Sequence, residues 1–140
     1  MIDALLELVN AELDGVTAYP SWPGPDASRE MVVLGEIRWE EYELATIKAG
    51  RKRRDENWSV EFEVYVLGMA ETSPADPNPA RDRAFEIFAA LENTLADDPK
   101  LGLTSVDWVQ VTPEEAGPRV MERGWAYRIA GRVHAYARLT

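Results

Sequence analysis

The residues able to do chemistry are few, and their spacing is unhelpful to catalysis. His134 is the single histidine and cysteine is absent. A thiolate nucleophile, a disulfide, an iron–sulfur cluster and a multi-histidine metal centre within one chain are therefore excluded. His134 alternates with arginines in Arg128-Ile129-Ala130-Gly131-Arg132-Val133-His134 and reads as a structural or surface side chain. There is no Gly-x-x-x-x-Gly-Lys-Ser/Thr phosphate loop, no Gly-x-Gly-x-x-Gly, no His-Glu-x-x-His and no Gly-x-Ser-x-Gly elbow. The acidic pairs Glu40-Glu41, Asp97-Asp98 and Glu114-Glu115 suggest a carboxylate dyad only superficially. Neighbours on a strand point to opposite faces, so each pair reads as solvated charge.

Two features stand out. Lys48, Arg51, Lys52, Arg53 and Arg54 are five of the fifteen cations of a chain whose formal net charge is −10. Such asymmetry reads either as a solvated tip or as a projecting contact with an acidic protein surface or phosphate, and a position at a hairpin tip favours the contact. The second feature is a polar sheet face. Arg128, Arg132 and Arg138 recur at even steps on one strand pattern, and Glu61 and Glu63 do so on another. If those strands are neighbours, Arg–Glu cross-strand pairs follow. With Tyr65 and Tyr136 on the same parity, Glu61, Glu63, Tyr65, Arg128, Arg132 and Tyr136 form a face suited either to water or to a subunit interface.

The elements that must hold these residues are legible as periodicities. Ile2, Leu5, Leu6, Val9 and Leu13 make one helical stripe over residues 2–14, with Gly15 placed as a C-terminal stop. Pro20, Pro23, Gly24 and Pro25 make 19–30 a loop, in which Trp22 is either a pin into the core, the favoured reading, or an exposed contact. Strands are expected over 31–39 and 41–48, with a bend or a bulge in one long strand at Glu40 and Glu41. The clearest alternation is at 57–67, where Trp58, Val60, Phe62, Val64 and Val66 share one face. A long basic tip joins it to the strand before. After a proline-rich loop, Asn78-Pro79 opens a helix over 79–97 with Ala84, Ile87, Phe88, Leu91 and Leu95 as its stripe. A strand over 103–112, a loop or wide hairpin over 113–124 and a long strand over 124–138 complete the chain. The expectation is a single α+β domain over 1–140, a mostly antiparallel sheet of five or six strands with two helices on one face.

An apolar content of 46% suits a globular protein, and so acidic a chain is no general nucleic-acid coat. No run approaches the roughly 18 apolar residues of a membrane span. The acidic, periodic opening Met1–Glu7 is unlike a secretory leader, so a soluble protein made and used inside a cell is the expectation.

In the order and texture of its elements almost the whole chain resembles the tail terminator proteins of long-tailed, siphovirus-like bacteriophages. The likeness lies in the helix ending near Gly15, the strands with a charged hairpin tip, the segment Arg54-Asp55-Glu56-Asn57-Trp58-Ser59-Val60-Glu61-Phe62-Glu63-Val64, the helix from Ala80 through Leu95 to its exit at Asp98-Pro99, and the terminal strand pair. The resemblance implies a structural virion protein without catalysis or cofactor. It would form a homohexameric ring that caps the head-proximal end of the tail tube, ends tube polymerisation and offers a docking face to neck and head-completion proteins. DNA would pass the ring without sequence-specific binding. No membrane is implied. The protein would sit in the virion and, during assembly, in the host cytoplasm. Another ring of the head–tail junction (a neck stopper or tail-completion protein) and a small ligand-binding domain are the competing expectations.

Overall fold

Leu5 and Val9, with Leu13 just beyond, bury one stripe of helix α1 (Ile2–Glu12). The Leu13 amide still donates to the Val9 carbonyl at 3.0 Å, and Gly15 at φ +75° then turns the chain out of the helix. Val16 is buried immediately afterwards and leads into a short strand, β1 (Thr17–Tyr19). The computed structural model describes residues 2–24, 28–46, 53–68, 78–97, 106–121 and 124–139. Strand β2 covers Glu30–Thr46, β3 Arg53–Leu67, helix α2 Asn78–Asp97, β4 Val106–Met121 and β5 Gly124–Leu139.

Among the described residues the architecture is α+β, with two helices and one mixed five-stranded sheet in the order β1-β2-β3-β5-β4. All neighbouring strands are antiparallel except β1 and β2, which run parallel with Ala18 opposite Val32. The parallel pair departs from the sequence reading, in which β1 is absent. Three residues are too few to show a period, and β1 is held by its neighbours: the Ala18 amide donates to Asn10 Oδ1 of α1 at 3.0 Å.

The stretches expected at 31–39 and 41–48 are one long strand as far as Thr46, and the bulge expected at Glu40 and Glu41 is there, between Trp39 and Glu41. β2 keeps its pairing with β3 through register shifts between Leu34 and Ile37, Trp39 and Glu41, and Leu44 and Thr46. A bulge absorbs an extra residue and bends the strand without ending the ladder. The first bulge also changes which residues face the helices. Val32 and Leu34 are in the core, and so is the partly buried Ile37. β3 begins earlier than its alternation suggests, so Arg53 and Arg54 lie in the strand, opposite Thr46 and Leu44, and not in the hairpin tip.

Of the loop or wide hairpin expected over 113–124, the loop is overturned, and β4 and β5 form an antiparallel hairpin paired as far as Met121 and Gly124. β4 continues through Pro113 and Pro118, which pair in register with Gly131 and Tyr127. β4 is an edge strand, where alternate backbone nitrogens face away from the sheet and proline is tolerated.

Both helices lie on one side of the sheet and share one core. Leu5, Val9 and Leu13 join Ala84, Ile87, Phe88, Leu91 and Leu95 over Val32, Leu34, Val60, Phe62, Val64, Ile129 and Val133. Phe62 and Phe88 stack at 5.7 Å between ring centroids. Gly131, directly across from Phe62, leaves room for that ring: a Cβ there would come within 3.0 Å of it and 2.8 Å of the Thr112 carbonyl oxygen. Among the described residues no helix is long and apolar enough to cross a membrane.

Candidate functional site

Among the described residues no helix or further strand lies over the other side of the sheet, and that side carries the polar residues singled out by parity. β3 and β5 are neighbours, with Glu61 opposite Arg132 and Tyr65 opposite Arg128. The cross-strand pairs form as the spacing requires. Arg132 Nη2 donates to Glu61 Oε1 at 2.6 Å, and Arg128 Nε donates to Glu63 Oε2 at 2.7 Å.

Each arginine is held from the other flank as well. Arg132 also bonds Glu114, and Arg128 also bonds Glu115. The register shift between Pro113 and Glu115 re-aims the chain so that two adjacent glutamates reach the same face. The expectation that Glu114 and Glu115 point to opposite faces therefore fails at this bulge, while the reading of both as solvated charge agrees with their exposure. Both are solvent-exposed, yet each engages a guanidinium. Arg38 of β2 extends the series, lying 3.6 Å from Glu61. Across the sheet the charges alternate in two rows. One runs Arg38, Glu61, Arg132, Glu114, and the other Glu63, Arg128, Glu115.

Although their partners are partly exposed, the two central arginines are not: their side chains keep only 14% (Arg128) and 16% (Arg132) of their surface. Ser59, fully buried, lies 3.3 Å from the Arg132 guanidinium and takes a hydrogen bond from it. The hydrogen bond from Arg128 holds the Glu63 carboxyl below the ordinary glutamate range. Burial opposes this and the Tyr65 hydroxyl, which donates to the same carboxylate, reinforces it. Tyr65 is pushed up, first by burial and then by the carboxylate it serves. Arg128 is raised by its bond to Glu63. Glu63 is thereby a fixed, charged acceptor, suited to presenting a charge and poorly suited to shuttling a proton.

At one end the face becomes apolar. Met31, Val33, Tyr65 and Ala126 form a small second core, with Tyr19, Leu67 and Met121 packed on it. Trp22 stands edge-on to Tyr65 at 5.2 Å and keeps 46% of its surface, so it is part pin and part exposed ring. The loop carrying it is tied down where Ser28 bonds both the Tyr19 hydroxyl and Thr17.

The other sequence candidates are placed as follows. Tyr136 is partly buried on β5, level with Asn57 and Trp108, and His134 lies level with Ser59 and Gln110. Lys48, Arg51 and Lys52 lie outside the described residues, and of Arg53 and Arg54 only the backbone is described. Among the described residues no group of His, Asp and Glu could hold a metal ion. Arg38, Ser59, Glu114 and Glu115 are the ladder members that sequence reasoning missed. Pro113 inside an otherwise alternating run was the available signal for the bulge that recruits the last two.

A cleft of about 410 Å³ lies near Gly15, Glu30, Val66 and Arg83, on the helix side. Two of its polar side chains, Glu30 and Arg83, are already engaged in fixing α2 to β2. Arg83 donates to both oxygens of Glu30, at 2.6 and 2.9 Å, and to the Asp14 carbonyl at 3.4 Å.

No protein-family model matches the chain, and no curated protein matches it.

Proposed function

We propose that the chain is a structural subunit of a phage particle, a tail terminator that forms a hexameric ring on the head-proximal end of the tail tube. The ring ends tube polymerisation and receives the neck proteins of the filled head. The reading rests on the resemblance in element order, and the single structural observation that supports it best is the uncovered polar face. A broad, pre-ordered surface of paired charge, offered by a sheet whose other side is fully occupied, suits contact with protein better than turnover of a small molecule. In the ring, part of this face lies against the neighbouring subunit. The basic segment Lys48, Arg51, Lys52, Arg53 and Arg54 supplies the contact with acidic tube subunits.

The test is tube capping in vitro. The full chain, added to polymerising tail-tube protein, is expected to shorten the tubes and to sit at one end of each. Replacing Arg51, Lys52, Arg53 and Arg54 by Glu leaves the circular dichroism spectrum unchanged and abolishes capping. A chain that binds no tube and leaves tube length unaltered ends this reading, and capping by the four-fold variant removes the role given to the basic segment.

A further inference from the structure

The order of charges on the uncovered face has a symmetry of its own. From β2 to β4 the first row reads Arg38, Glu61, Arg132, Glu114: plus, minus, plus, minus. Turned end for end, the same row reads minus, plus, minus, plus. A two-fold axis parallel to the strands, passing between β3 and β5, lays a second copy over the first in that reversed order. Glu61 then meets Arg132 at the same level, and the Arg38 guanidinium, which reaches from opposite Ser59 toward Glu61, meets the Glu114 carboxylate that reaches back to Arg132, each contact occurring twice. The second row obeys the same operation at its centre, where Glu63 of one copy meets Arg128 of the other.

We infer that two copies of this chain pair face to face through the ladder, about that two-fold axis. An isologous contact needs a self-complementary patch, and the alternation supplies one. The two rows carry three arginines and four glutamates, so they are nearly neutral on a chain of net charge −10. That makes the face a place where two acidic copies meet with little mutual repulsion. Arg128 and Arg132 are already immobilised between flanking carboxylates, so little side-chain freedom remains to be lost on docking. Twisted sheets packed face to face touch most closely at their centres, where Glu61, Glu63, Arg128 and Arg132 stand. The pairing does not rest on the ring reading. If both hold, the paired form is what exists away from the tail, and it must separate before the face can meet a ring neighbour.

A charge swap across the contact tests the geometry. Sedimentation velocity of the full chain at low salt is expected to show a dimer that shifts to monomer in 1 M NaCl, where screening reaches within about 3 Å. Glu114→Arg alone sets like charges together twice, and so does Arg38→Glu alone; each variant is expected to be monomeric while keeping its circular dichroism spectrum. Mixed in equal amounts, the two variants restore attraction at both contacts. Native mass spectrometry should then find a dimer containing one chain of each. If either reversal fails to fold, Glu114→Gln and Arg38→Gln take its place: each alone loses both Arg38–Glu114 contacts, and the mixed pair regains one of them, so the mixture is expected to associate more tightly than either variant alone and less tightly than the wild type. A wild-type chain that is monomeric at low salt overturns the pairing, as does a mixture of folded variants that stays apart. Hexamers in place of dimers overturn the pairing and leave the ring reading standing. Dimers that never cap a tube do the reverse.

Discussion

The two faces of the sheet use the same strands for opposite ends. Toward the helices, alternate residues of β3 and β5 are closed off from water: Val60, Phe62, Val64, Ile129 and Val133 are each at most 1% exposed. That face is held by burial, which is non-directional and scales with area. Toward the open side, the intervening residues Glu61, Glu63, Arg128 and Arg132 are held by directed, charge-assisted bonds. These pairs are half-buried, so desolvation offsets much of their attraction and they contribute less to folding than the apolar face does. The comparison teaches that period-two alternation assigned stability to one side of this protein and left the other free to be a patterned surface.

The sharpest way to break the comparison is to exchange the two chemistries. Phe62→Asp sets an unpaired carboxylate among Phe88 and the β-sheet aliphatics. The cost is on the order of 5 kcal/mol, comparable with the whole stability of a domain. The variant is expected to lack a cooperative melting transition. A native-like melting curve would contradict the burial of that face.

A smaller effect is expected from Gly131→Ala, which adds no charge. The new Cβ meets the Thr112 carbonyl oxygen at 2.8 Å and the Phe62 ring at 3.0 Å. Because the first neighbour is backbone, relief requires β4 to shift, and the expected loss is about 1–3 kcal/mol. Urea unfolding measures it, with an unchanged slope showing that the unfolded state is unaffected.

The mildest probe belongs to the charged face. Glu63 has its folded-state pKa lowered by Arg128 and Tyr65. Its stabilising contribution is therefore complete above the unfolded value of about 4.3 and is lost as pH falls through the lower folded value. Glu63→Gln removes that contribution. The variant should be slightly less stable at neutral pH and should lose less stability on acidification than the parent. Parallel stability curves for the two proteins below pH 4 would show that Glu63 takes no part in the acid limb.

What the chain spells out in advance follows the same division. The α2 stripe and the alternation from Trp58 to Val66 announce themselves because burial repeats with the period of the element, and those residues do fill the core. The pairing of Arg128 and Arg132 with Glu61 and Glu63 is legible too, since parity fixes the face and adjacency supplies the partner. What stayed hidden depends on irregularity. Strand β1 exists through Asn10 and β2, not through its own three residues. Pro113 and Pro118 suggest a loop unless the strand is known to lie at an edge. Glu114 and Glu115 join the ladder only because a bulge cancels the rule that neighbours point apart.

Those same two prolines, with Asn10, have a consequence for how far this protein can grow. An open sheet margin invites another chain to extend it, and a protein made in many copies meets that invitation often. Here one margin carries prolines that have no N–H to offer a newcomer, while on the opposite margin the Ala18 amide is spent on Asn10 but, among the described residues, β1 covers β2 only from Met31 to Val33. A strand that extends this sheet is therefore expected to add along β2 and not along β4.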